Sequence, residues 1–325
     1  MLLKILRPIV ISIVIMLVVA LILVFTQRPK EMSGEGGLDF TRQLEGTGVE
    51  PAPLQSVPMR DGYPLQMRTY GGADNVPLLV LVHGSAWHGL QFDALGTALQ
   101  GHAEVIVPDL RGHGTAPGRR GDVDYIGQLE DDLADLITAV AKPGQPVIMA
   151  GHSSGGGLVV RFAGGAHGAM LDGAVLMAPF LKYNAPTMRE SAGGWNHVLT
   201  RRIIGLSILN TFGITALNDM PIVQFNMPRA VLEGPLGDTA TLSYSYRMNT
   251  SFAPRSAYLE DVAALPKFVL LAGGADEAFI SSEFAPTMGA VTDKGRFDMI
   301  LGANHLDLVN DPRTLAITKA FLDEY

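Results

Sequence analysis

"PVIMAGHSSGGGLVVRFAGG", Pro146 to Gly165, drives an apolar strand into serines set among glycines and then resumes with helical spacing. Within it, "GHSSG" (Gly151 to Gly155) puts Ser153 at the junction of strand and helix. A residue at such a junction takes a strained backbone with positive φ. Side chains two positions to either side would collide, so Gly151 and Gly155 are the glycines that relieve the clash. A bend this tight points to use of the hydroxyl at its tip.

Outward from this stretch, apolar runs of strand length recur. Pro77–Gly84, Ala103–Leu110, Pro146–Ser153, Asp172–Pro179, Lys267–Gly274 and Arg296–Asn304 read as strands buried on both faces, and Pro64–Gly72 as an earlier, partly exposed one. Between them, "DYIGQLEDDLADLITAVAK" (Asp124 to Lys142) carries apolar side chains at three- and four-residue spacing, as an amphipathic helix does. "DPRTLAITKAFLDEY" closes the chain as another, with Asp311 as N-cap and Pro312 in its first turn. Strand and helix in alternation predict an α/β fold with a mostly parallel sheet and helices on both faces. Ligands in such sheets bind beyond the carboxyl ends of the strands. His83-Gly84, Asp109, Ser153, Asp276 and His305 all fall at those ends. One region breaks the rhythm: residues 182–265, rich in Met, Asn, Pro and aromatics, read as a mostly helical cap inserted over the same edge.

The chain has 325 residues, 47% of them hydrophobic, and no cysteine. Disulfides, thiol catalysis and thiolate metal sites are therefore excluded. A net charge of -8 leaves no basic footprint, so no nucleic-acid partner is expected. The N-terminus stands apart. From Ile9 to Phe25 only Ser12 interrupts the apolar run, close to the length that crosses a bilayer as a helix. The run ends in "VFTQRPK" without the small-residue pattern of a cleavage site. Residues 1–30 thus read as an uncleaved, single-pass membrane anchor, residues 31–53 as a Gly-rich polar linker, and 54–325 as one α/β domain. Lys4 and Arg7 before the span, against Arg28 and Lys30 with Glu31 after it, lean toward a body outside the cytoplasm.

Strand before and helix after are the context that makes G-x-S-x-G a nucleophile elbow. Ser153 needs a base to take its proton. Of eight histidines, His305 follows the last strand, where the serine–acid–histidine order places the base. His83 and His113 precede Ser153, His152 is expected to point off the far side of the elbow, and His88, His102, His167 and His197 read as surface or loop residues. The base in turn needs a carboxylate to hold its tautomer. Asp276, just past a buried strand and 29 residues before His305, fits; adjacent Glu277 is its rival, with Asp298 and Asp307 weaker. Two backbone donors for an oxyanion are expected from the N–H groups of Ser154 and Ser85. No His/Asp/Glu cluster shows metal-ligand spacing.

Together, "LVHGS", "VPDLRGHG", "GHSSGG", "LLAGGADE" and "GANH" resemble the serine α/β-hydrolase superfamily, within it the lysophospholipase and monoacylglycerol-lipase-like branch, over Val57 to Tyr325. The resemblance implies an eight-stranded sheet, a lid between strands six and seven, no cofactor, and an ester-type acyl bond broken through an acyl-enzyme. Ser154 stands where the branch often has a bulkier residue. The expected substrate is a small-molecule or lipid ester, favoured as lipid-like by the apolar, Met-rich cap. A small-ester or amide hydrolase, an acyltransferase and a non-catalytic membrane-tethered scaffold are the alternatives.

Overall fold

A computed structural model of the chain describes residues 2–35, 37–45 and 50–325. Positions 36 and 46–49 of the expected linker, and Met1 of the expected anchor, lie outside the described residues. Among the described residues there are eleven strands: β1 (Gln55–Pro58), β2 (Pro64–Tyr70), β3 (Leu78–Val82), β4 (Glu104–Asp109), β5 (Val147–His152), β6 (Gly173–Met177), β7 (Asn196–Val198), β8 (Pro221–Phe225), β9 (Ser243–Ser245), β10 (Lys267–Gly273) and β11 (Gly295–Ile300). Eight of them form one sheet in the order β1-β2-β4-β3-β5-β6-β10-β11. Only β2 runs against the others, through its antiparallel pairings with β1 and β4. The fold is an α/β-hydrolase fold. Its centre is set by hydrophobicity: every residue of β3, β5 and β6 is buried, which only a strand covered on both faces can satisfy.

The helices are α1 (Leu2–Thr26), α2 (Thr41–Glu45), α3 (Asp93–Ala98), α4 (Gln128–Val140), α5 (Ser154–Ala163), α6 (Thr200–Thr211), α7 (Arg229–Leu232), α8 (Tyr246–Phe252), α9 (Tyr258–Ala264), α10 (Phe284–Gly289) and α11 (Pro312–Leu322). Helix α11 starts as its sequence predicts: Asp311 accepts a hydrogen bond from the Arg313 N–H, and Pro312 occupies the first turn.

One expectation is corrected, and the structure adds detail to two others. The strand expected at Arg296–Asn304 to be buried on both faces is β11, at the sheet edge and mostly half-exposed, with Leu301 beyond it 70% exposed. Of its residues only Ile300 is buried, Met299 is 47% exposed, and Arg296 and Asp298 form an ion pair on the strand. The cap, read as mostly helical, also contains the antiparallel sheet β7-β8-β9. Its strands are of three and five residues, too short for a periodicity to register in the sequence. Within residues 31–53, read as a linker leading into the domain, Leu38 and Phe40 are buried in the main core.

Candidate active site

At the carboxyl edge of central strand β5 the chain turns through Ser153, whose φ of 55° and ψ of −122° lie far from either neighbouring element. Its N–H donates to the Met177 carbonyl (2.9 Å), so the end of β6 holds the turn. The flanking glycines are sterically required. A Cβ on Gly155 would stand 2.1 Å from the Val82 carbonyl oxygen, and one on Gly151 would stand 2.4 Å from that of Gly155. Neither gap admits carbon.

His305 and Asp276 meet from loops 29 residues apart, the imidazole Nδ1 donating to Asp276 Oδ2 at 2.8 Å. Both are buried. The other carboxylate oxygen accepts from the N–H groups of Ala278 and Phe279, each at 2.8 Å. Burial by itself would raise the Asp276 carboxyl. The imidazole beside it and these hydrogen bonds outweigh that, holding it below the ordinary carboxylate range. Arg189, from the cap, donates to the carbonyls of Asp276 and Phe279 and so braces the acid loop. Glu277, the rival acid, does not touch the ring. Its carboxylate accepts from the backbone N–H of His305 (2.9 Å) and from that of Asp39 (3.1 Å), tying the histidine loop to the N-terminal segment.

Ser153 and His305 line one cavity with Gly84, Ser85 and His152. Among the described residues, no hydrogen bond joins Ser153 Oγ to the imidazole. The Ser85 and Ser154 N–H groups likewise meet no acceptor among the described residues, as free oxyanion donors would. Next to Ser85, Ala86 sits at φ 67° and is pinned by its N–H to the hydroxyl of Tyr244 from β9 (2.8 Å). That hydroxyl also bonds His113 Nε2 (2.6 Å).

His152, expected on the far side of the elbow, instead packs against His305, ring centroids 4.5 Å apart and planes tilted by 43°. A relay of three hydrogen bonds runs through it. The Gly84 N–H donates to Gln91 Oε1 (3.0 Å), Gln91 Nε2 donates to His152 Nδ1 (2.5 Å), and His152 Nε2 donates to the His305 carbonyl (2.9 Å). The carbonyl partner fixes this tautomer. Gln91 had no signal in the sequence; a glutamine thirteen residues before β4 belongs to no motif. His88, expected at the surface or in a loop, lies in a loop but is buried and bonded to Thr239 Oγ1 (2.8 Å).

Buried neutral histidines make acid unfolding a testable consequence. Desolvation pushes His152 down to about 3 and His88 down to about 4, and lowers His83 and His113 as well. Below pH ~6.5 the unfolded chain takes up protons at these sites that the native state refuses, so stability falls as pH drops toward about 4. Each such histidine costs about 1.4 kcal/mol per pH unit over that window. Asp276 acts in the same direction, its contribution being lost as pH falls through its lowered native value. A melting temperature level above pH ~7 and dropping steeply below about 6 is expected from calorimetry. A flat profile down to about pH 4.5 would contradict neutral burial.

The N-terminal segment roofs the cavity. The Phe40 ring packs between Trp87 (centroids 6.0 Å apart) and Trp195 (5.7 Å). Beneath them about 20 Å³ is open, room for a water molecule but not for an ester group.

Fold and elbow together define the class, an α/β hydrolase with a serine, an imidazole and a carboxylate converging at the carboxyl edge of its sheet. Residues 73–277 match the family model described as serine aminopeptidase, S33, and the chain belongs to that family. The match takes in Ser85, Ser153, Ser154 and Asp276 and stops short of His305. The chain spans about a third of the length of the first curated relatives it matches. One is an uncharacterized protein of Mycobacterium tuberculosis, 31% identical over 115 residues, 33% of either chain. Human monoglyceride lipase is 28% identical over 237 residues, 69% of this chain and 74% of that one. Among solved structures, a soluble variant of Saccharomyces cerevisiae monoglyceride lipase bound to a substrate analog shares the fold. Its TM-score is 0.63 at 19% identity, covering 85% of this chain and 96% of that one.

Proposed function

We propose that this chain is a membrane-anchored serine hydrolase that cleaves a carboxylic ester with a lipid-like acyl chain. The observation that carries the reading is the buried His305–Asp276 pair, which shares one cavity with the strained Ser153 elbow. In the reaction Ser153 Oγ attacks the ester carbonyl carbon and passes its proton to His305 Nε2. Asp276 holds the Nδ1–H tautomer and balances the imidazolium charge. The tetrahedral oxyanion is met by the N–H groups of Ser85 and Ser154. The imidazolium then protonates the departing alkoxide, which leaves as the alcohol. Water repeats the sequence and frees the acid. The serine–histidine hydrogen bond is frequently long without substrate and tightens when one binds. An ester reaches Ser153 only once the roof formed by Leu38 and Phe40 is displaced, because the cavity beneath is so small.

Support for an acyl chain comes from the aromatic walls, Phe40, Trp87 and Trp195, and from the likeness to monoglyceride lipases. Support for the anchor reading of residues 1–30 comes from α1. Leu6–Thr26 has a mean hydropathy of 3.3, and the same helix packs against cap helix α6, as a segment retained in the mature chain would. Hydrolysis of p-nitrophenyl esters of graded length by the full chain in mixed micelles tests the substrate class. The rate is expected to rise from acetyl to medium and long acyl groups. Activity confined to acetyl and butyryl esters would refute the lipid reading.

A further inference from the structure

Helix α6 runs antiparallel along the C-terminal half of α1. At its start Arg202 donates to the carbonyls of Val24 (3.2 Å) and Gln27 (2.6 Å). One turn on, a Cβ at Gly205 would lie 2.5 Å from the Ala20 carbonyl oxygen, so the two backbones touch there. Ala20 and Val24 of α1 are buried against Leu206 and Leu209 of α6, with Leu17 packed alongside. Phe212 lies seven residues beyond Gly205, about 10 Å farther along this line at helical rise. That puts it level with the middle of the apolar span Leu6–Thr26.

A bilayer crossed by α1 must therefore accommodate α6 as well. If the lipid stopped where α6 begins to pack, only Leu2–Met16 of α1 would remain, 15 residues or about 22 Å, against the roughly 30 Å a hydrocarbon core requires. The composition of α6 suits immersion. From Ile203 to Asn218 no side chain is charged. Ile204, Phe212 and Ile214 are exposed at 47%, 37% and 39%. Except for Thr215, which is exposed at the tip, the polar side chains of this stretch are bonded within the protein, as hydrocarbon favours. Asn210 and Asn218 exchange hydrogen bonds (2.7 and 2.8 Å), Ser207 bonds the Tyr246 hydroxyl (3.1 Å), and Thr211 donates to the Ser207 carbonyl (3.0 Å). Arg202, at the C-terminal end of α1, sits where a cation complements both the helix dipole and the headgroup layer.

We infer that α6 and the tip Phe212–Ala216 are embedded in the same leaflet as the C-terminal half of α1, so the surface of the cap has the acyl chains of a bilayer as its partner. The inference rests on the anchor reading of α1. It also fixes the sheet β7-β8-β9, and Trp195 just before it, beside the headgroups, where a lipid leaving the bilayer would pass.

The absence of native cysteine makes the test clean. Phe212→Cys, Ile214→Cys and, as a milder exposed replacement, Thr215→Cys would each carry a nitroxide on the full chain in phosphatidylcholine vesicles. Ile15→Cys reports on α1, and Asp293→Cys, before β11 at the opposite edge of the sheet, is the aqueous reference. Labels on the α6 tip are expected to lose collision with an aqueous nickel chelate and gain collision with oxygen, as at Ile15. Tip labels that behave like Asp293 while Ile15 reads as lipid would overturn the inference and leave the anchor standing. Aqueous behaviour at Ile15 too would remove the anchor, and the inference with it.

Discussion

Ser153→Ala is expected to reduce ester turnover by roughly 10⁴- to 10⁶-fold and to abolish labelling by a fluorophosphonate probe, with the fold unchanged. The loss is large because no other described hydroxyl pairs a strained elbow with the His305–Asp276 dyad in one cavity. What remains is whatever the oxyanion donors and substrate binding supply without a nucleophile. The fold should survive for two reasons. Ser153 Oγ has no hydrogen-bond partner among the described residues, so its removal strands nothing. Alanine also meets the positive φ of 55° at much the same steric cost as serine. Kinetics, probe labelling and a thermal melt on the same preparation check all three parts. Probe labelling retained in the variant, or a wild-type chain that labels elsewhere, would assign the nucleophile to another residue.

Asp276→Asn carries the second large effect, a fall in kcat of about 10⁴-fold with little change in KM. The wild-type carboxylate accepts the His305 Nδ1–H through one oxygen and two backbone N–H groups through the other. An asparagine keeps its carbonyl oxygen on the two N–H groups, which turns the amide NH₂ toward the ring. The imidazole must then accept at Nδ1 and carry its proton on Nε2, the nitrogen that has to receive the serine proton. Geometry survives; the tautomer is wrong. Glu277→Gln provides the contrast. Its carboxylate serves only backbone donors, those of His305 and Asp39, and a glutamine oxygen still accepts one of them. A loss below about tenfold is expected, of the size of one hydrogen bond. Should Glu277→Gln prove the more damaging, the acid assignment would have to be reversed.

Legibility differed sharply from residue to residue. The elbow was plain because its demands are local: a serine at positive φ, with glycine needed two residues to either side, writes itself into five consecutive letters. The central strands were plain for a similar reason, since burial on both faces excludes polar letters throughout. Edge strand β11 misled, because a short apolar run reads the same at the edge of a sheet as at its centre. The side of the elbow taken by His152 also misled. Strand alternation sends successive side chains to opposite faces, but the turn at Ser153 ends the strand there, and the ring swings under His305.

From sequence alone came the fold class, the position of Ser153, and a ranked choice of base and acid, each dictated by near-neighbour sterics or by chain order along a sheet. Tertiary structure alone decided the rest. It set the carboxylate of Asp276, and not that of Glu277, against the His305 ring, built the Gly84–Gln91–His152–His305 relay, brought Leu38 and Phe40 over Ser153, and laid α6 along α1. These are contacts between residues tens to hundreds of positions apart. Each depends on where whole elements pack, a quantity set by the summed burial of the core, and no short pattern of letters encodes it.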